Sequence, residues 1–176
     1  EFVNAGSSLM FAFGLALVFI YLVLSAQFES FRNPILIMLS VPTAMLGALA
    51  ALKLSDGSLN VYSQIGLITL VGLITKHGIL IVEFANQLQL SGKTRAEAAL
   101  EAASMRLRPI LMTTAAMVLG AIPLALAEGA GAESRSQIGW TIVGGMTLGT
   151  FLTLFIVPTI YSLLAAKPEI IEAPKS

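Results

Sequence analysis

Five long apolar runs, separated by short polar connections, set the rhythm of this 176-residue chain. They cover about 8–26, 34–52, 62–88, 109–127 and 138–165. Roughly twenty consecutive apolar residues are what an α-helix needs to cross the hydrocarbon core of a bilayer, where a helix satisfies its own backbone N–H and C=O groups. The pattern predicts an all-α integral membrane helix bundle with five transmembrane helices. The third and fifth runs exceed the minimum span, which allows tilt or extension beyond the membrane.

The connections carry turn chemistry. Gln27-Phe28-Glu29-Ser30-Phe31-Arg32-Asn33 leads into Pro34, whose missing N–H costs nothing in the first turn of a helix. Ser55-Asp56-Gly57-Ser58 reads as a turn, and Glu128-Gly129-Ala130-Gly131-Ala132-Glu133-Ser134 as a flexible loop. The connection at 91–108 differs. Thr94-Arg95-Ala96-Glu97 fits a capping box, and Ala96, Ala99, Leu100 and Ala103 then share one face, so a short amphipathic surface helix is expected there. An ordinary solvated connector helix is the other reading. Pro42, Pro123 and Pro158 fall inside apolar runs and predict kinks. Gly145 with Gly149, Gly47 with Ala51, and Gly66, Gly72 and Gly78 predict close helix approach.

Composition agrees with the pattern. The chain is 56% hydrophobic and 11% charged, with mean hydropathy +0.87, against the roughly 25% charged content of soluble domains. Net charge is zero and the ten basic residues sit apart from one another, so no nucleic-acid partner is implied. Without cysteine there is no disulfide, thiolate zinc site or thiol nucleophile. No paired His, Asp, Glu or Met spacing supports a metal site, and no protease, hydrolase or nucleotide-binding motif is present, so neither an enzyme nor a cofactor is expected. The first residue is Glu1, with no basic segment or cleavage site behind it, so the first run is not read as a signal peptide and the chain is expected to be a piece of a larger protein. With the N-terminus outside, Arg32, Lys93, Arg95, Arg106, Arg108, Lys167 and Lys175 fall inside, and Lys53 and Arg135 outside. That bias puts the N-terminus in the periplasm or exterior and the C-terminus, including a tail at 166–176, in the cytoplasm.

The tenth basic residue is Lys76, near the middle of the third run. An ammonium at that depth costs about 2.5–3.5 kcal/mol even on the mildest insertion scales, so it should face a protein interior and pair with a carboxylate. Glu83 lies two turns further on the same face, about 10 Å away, too far for a direct ion pair. Its bland reading, a carboxylate near the cytoplasmic end that reaches headgroups or a connector residue, stands level with a functional one. Arg106 and Thr113 are also seven residues apart and share a stripe. The bland readings are a topology anchor for the arginine and a hydroxyl bonded to its own helix for the threonine. His77, one residue on, reads as a packed, hydrogen-bonded neutral imidazole, with a share in a proton relay as the second reading.

Gly72-Leu-Ile-Thr-Lys76-His-Gly-Ile-Leu-Ile-Val-Glu83-Phe-Ala-Asn, followed by Met105-Arg-Leu-Arg-Pro-Ile-Leu-Met-Thr113, resembles the resistance-nodulation-cell division efflux permeases, most closely the hydrophobe/amphiphile multidrug exporters of the AcrB and MexB type. Gln27-Phe-Glu-Ser-Phe, Val41-Pro42, Gly129-Ala-Gly and Val157-Pro158 match as well, so the likeness runs to about residue 165.

The resemblance implies that 1–165 is the C-terminal transmembrane half-bundle, the last five of twelve spans, of a drug/proton antiporter in the bacterial inner membrane. It implies H⁺ as coupling ion, a homotrimer, and a periplasmic adaptor and outer-membrane channel reached through domains outside this chain. Lys76, Thr113 and Arg106 match the family's intramembrane relay, with Glu83 and His77 as possible auxiliaries; the relay's aspartate pair belongs to the N-terminal half. The position after the lysine is frequently Asn in such proteins and is His77 here. Export of metal ions by the same superfamily, or a non-transporting membrane assembly or secretion subunit, are the alternatives.

Overall fold

The structure is a computed structural model and describes residues 2–164, so the expected tail at 166–176 lies outside the described residues. Six helices follow in order: α1 Phe2–Phe28, α2 Arg32–Met38, α3 Ser40–Leu54, α4 Val61–Leu90, α5 Arg95–Ala125 and α6 Ala132–Leu164. Among the described residues there is no strand. α2 and α3 together make one passage, Arg32–Leu54, so five helical passages are long and apolar enough to cross a membrane.

Two departures from the sequence pattern have identifiable causes. The second passage breaks at Leu39, because Pro42 offers no N–H to the Met38 carbonyl and its ring crowds that carbonyl. Beside the break the hydroxyls of Ser40 and Thr43 donate to the carbonyls of Ile37 at 2.6 Å and Ser40 at 2.7 Å. The amphipathic segment ahead of the fourth span is helical, but it is the start of α5 and continues through Pro109 into the membrane. Its capping box is present, with Thr94 accepting from the Glu97 N–H and the Glu97 carboxylate accepting from the Thr94 N–H. The face turned to the bundle is Ala98, Ala99 and Ala102, while Ala96 and Leu100 point outward. Ala99 and Ala102 join Ile81, Val82 and Ala85 of α4 in one apolar cluster. Pro123 and Pro158 are held inside continuous helices.

The helix ends follow local rules. Asn60 caps α4 by accepting from the N–H groups of Tyr62 and Ser63, while Ser63 bonds back to the Asn60 N–H. Gly92, at φ +97°, ends the same helix in a Schellman arrangement: its N–H reaches the Gln89 carbonyl and that of Lys93 reaches Leu88.

α6 is the hub on which α3, α4 and α5 all pack, whereas among the described residues α1 packs on α2 and α4 and is largely exposed. In a bilayer, water exclusion does not drive helices together, so close van der Waals fit must. Glycine supplies the fit. A Cβ on Gly47 would come within 2.7 Å of the Gly144 carbonyl oxygen and of the Leu148 Cβ, and one on Gly149 within 2.8 Å of the Ala44 Cβ. Gly145 meets Leu70, Gly66 meets Thr141 and Gly78 meets Ile37 in the same way. Gly72 does not share this role, having no neighbour within 4 Å of a would-be Cβ.

The buried core is divided. One apolar cluster joins Val41, Ala44, Ala48, Leu67, Leu70, Val71, Ile74 and Met146. The other joins Leu36, Ile37, Ile81, Val82, Ala85, Ile110, Val157 and Tyr161 with their neighbours. Between them along α4 and α6 lie the buried polar residues Thr75, His77, Thr150 and Thr153.

Gly47→Leu should lower the stability of the detergent-solubilised protein by about 1–3 kcal/mol through overpacking against α6. Gly120→Ala, at an open position on α5, should raise it by about 0.5–1 kcal/mol. Thermal unfolding of the two variants beside the parent checks both.

Candidate functional site

α4 carries the site because its two sides differ completely. Gly66, Leu67, Leu70, Val71, Ile74, His77, Gly78, Ile81, Val82 and Ala85 are buried. Tyr62, Ile65, Thr69, Gly72, Lys76, Glu83, Gln87 and Leu90 are exposed, at steps of three, four and seven, which is one stripe along the helix. Lys76 stands near the middle of this 30-residue helix, with Thr69 and Gly72 on one side of it and Glu83 and Gln87 on the other. Gly72, one turn away, has no atom within 4 Å of a would-be Cβ.

Among the described residues the one ion pair joins Lys93 and Glu101, at the start of α5. Lys76 therefore has no carboxylate partner there, and Glu83, exposed on the same stripe, has no basic one. Arg106 is half-buried on α5 and meets α4 through an aromatic ring: its Cζ lies 4.8 Å from the centroid of Phe84. Thr113, also half-buried, donates its hydroxyl to the carbonyls of Pro109 and Ile110 at 3.1 and 3.0 Å. That bond engages the hydroxyl hydrogen and leaves the oxygen free to accept a bond from an ammonium. Lys76, Arg106, Thr113 and Glu83 are thus on two neighbouring helices, with no hydrogen bond or ion pair joining them.

His77 points the other way. It is fully buried, and its Nδ1 lies 3.2 Å from Thr150 Oγ1 on α6. Thr150 Oγ1 lies in turn 3.1 Å from Thr114 Oγ1 on α5. His77 Nε2 and the hydroxyl of Thr153, one turn along α6, are buried without a hydrogen-bond partner. Thr69, Thr75, Thr113, Thr141, Thr147 and Thr159 bond the carbonyl four residues back in their own helices, so a bond between helices distinguishes Thr114 and Thr150.

A second polar link escaped the sequence reading. Tyr161 of α6 donates its hydroxyl to Asn86 Oδ1, and Gln89 Nε2 donates to the Tyr161 oxygen at 2.8 Å. Asn86 and Gln89 stand three apart in an apolar run, a spacing that places two amides on one face. That pattern was the available signal; it carries no information about which helix they meet.

The family model described as AcrB/AcrD/AcrF matches residues 1–165. An uncharacterized transporter of Haemophilus influenzae is 55% identical over 174 residues, 95% of this chain and 17% of the relative. The toluene efflux pump membrane transporter TtgB of Pseudomonas putida is 45% identical over 157 residues, 89% of the chain and 15% of that protein. Multidrug resistance protein MdtF of Escherichia coli K12 is 45% identical over 150 residues, 85% and 14% respectively. The chain thus spans less than a fifth of the length of these relatives.

Tyr161→Phe should cost about 1–3 kcal/mol, because it leaves the amides of Asn86 and Gln89 without their shared hydroxyl in a buried position. Thermal unfolding of the Phe variant beside the parent is the measurement.

Proposed function

The chain belongs to the AcrB/AcrD/AcrF family, and on that premise we propose that it is the C-terminal membrane bundle of a proton-driven multidrug efflux permease of the bacterial inner membrane. The names of these relatives, toluene efflux pump and multidrug resistance protein, support organic compounds as the exported class. In this reading the N-terminus is periplasmic and the complete protein forms a trimer that works with an adaptor and an outer-membrane channel.

One observation carries the mechanism. Lys76 lies at mid-helix on an exposed stripe with no carboxylate partner among the described residues, while the opposite side of α4 is fully packed. An ammonium facing lipid at that depth is costly, so the stripe requires a protein surface that brings carboxylates. The N-terminal half of the same permease, with its aspartate pair, is the surface proposed.

Lys76 then works as a charge switch. Ionised carboxylates hold the ammonium by Coulomb attraction and hydrogen bonds. When protons neutralise them, that attraction is lost and the lysine swings to a neutral acceptor. The Thr113 oxygen, with its hydrogen already engaged by Pro109, suits that role. Arg106, held against Phe84, keeps α5 registered on α4 near the cytoplasmic end and adds positive charge there. Glu83 and His77 are auxiliary, Glu83 by sharing the stripe and His77 by securing its reverse side. Proton uptake and release thereby become movements of α4 against its neighbours.

Lys76→Ala in the full-length permease should reduce drug resistance to that of a strain lacking the pump, with expression and trimer assembly unchanged. Resistance close to the parent in that variant would overturn the reading.

A further inference from the structure

The polar link on the reverse side of α4 assigns His77 a task separate from the charge switch. We propose that His77 is a positioning residue for Lys76: through Thr150 and Thr114 it sets the rotation of α4 about its own axis against α5 and α6, and so the direction in which the ammonium is presented. The proposal rests on the reading of Lys76 given above.

Neighbouring positions on a helix are about 100° apart, so Lys76 on the open stripe and His77 in the core turn as one body. The glycine contacts fix how closely α4 and α6 approach: Gly145 lies against Leu70, and Gly149, adjacent to Thr150, against Ile74. Around them Leu67, Leu70, Val71, Ile81 and Val82 present apolar surface, which resists separation but has little directional preference. A hydrogen bond is directional. The bond from His77 Nδ1 to Thr150, continued to Thr114, is therefore the contact at this level that distinguishes one rotational setting from another.

The hydroxyls are committed to it. A threonine hydroxyl has one hydrogen and two lone pairs, so Thr150 either relays the bond, donating to one neighbour and accepting from the other, or accepts from both Nδ1–H and Thr114. Leu111, Ala115, Val118, Phe151 and Leu154 wall the cleft beside Thr114 and Thr150 with apolar side chains, and Thr147, the further hydroxyl on the cleft, donates to the Val143 carbonyl of its own helix. No charge on a facing helix takes over the histidine's role. α6 has no ionisable residue between Arg135 and Tyr161, and α5 has none beyond Arg108. Within α1, α2 and α3 the ionisable residues are Tyr21, Arg32 and Lys53, with Arg32 and Lys53 close to helix ends.

The consequence is measurable because a poorly aimed ammonium competes less well with protons for its carboxylates. In proteoliposomes of the complete permease, antiport is followed against the pH on the periplasmic side. Thr150→Val and His77→Leu should each raise the half-saturating pH by about half a unit. The double variant should shift it no further than either single one, since all three lose the same bond. His77→Asn, whose amide can reach the same hydroxyl, should keep the parental midpoint. Midpoints unchanged in Thr150→Val and His77→Leu, or additive shifts in the double variant, would overturn the proposal. If His77→Leu does not accumulate, the near-isosteric Thr150→Val decides alone. Lys76→Ala is run alongside. Normal transport by that variant sinks the charge-switch reading itself, whereas an inactive Lys76→Ala with a parental midpoint in Thr150→Val sinks only the positioning role.

Discussion

A single ammonium halfway along a membrane helix constrains much of this structure. Burying Lys76 within the present bundle would require a carboxylate beside it, and α6, the helix on which most others pack, has no acidic residue after Glu133. The helix instead turns Lys76 outward and gives its other side entirely to packing. The two faces are consequences of each other. The more tightly the reverse side is seated, the more closely the direction of the charge is defined.

Seating that face could not rely on hydrophobic burial alone, because lipid is as apolar as the helices. Small residues solve the problem by letting backbones approach until dispersion contacts are dense. The contacts at Gly47, Gly144 and Gly149 leave almost no space for an added methyl group. Such packing sets distances well and rotations poorly. The buried hydroxyls and the imidazole that divide the core into two apolar clusters supply the directional part. Position and orientation thus come from different kinds of interaction.

Much of this was legible in the chain. The five passages follow from the length of the apolar runs, and the start of α5 from Thr94 and Glu97, whose side chains reach only residues three away. Lys76 is an anomaly on any hydropathy scale, and helical spacing places Glu83 on its face two turns further on. Less legible was the fate of each proline. Pro42 ends a helix at Leu39, while Pro109 and Pro158 sit within continuous ones, because the outcome depends on what surrounds the freed carbonyl. The segment before the fourth span has the amphipathic pattern of a surface helix, yet nothing local decides whether such a helix stops or continues into the membrane. Its bundle face, Ala98, Ala99 and Ala102, was fixed by the groove it meets on α4.

By itself the sequence determined an all-helical membrane bundle, the number of its passages, the capping box that starts α5 and the presence of a costly charge at mid-depth. These depend on the period of the helix and on transfer energies, which are properties of residues taken a few at a time. Only the tertiary structure decided that His77 would meet Thr150, that Thr114 would bond another helix while Thr113 bonds its own, and that Tyr161 would join Asn86 and Gln89. Those pairings connect residues 36 to 75 positions apart. They depend on how the helices meet one another, through contacts that no short stretch of sequence contains.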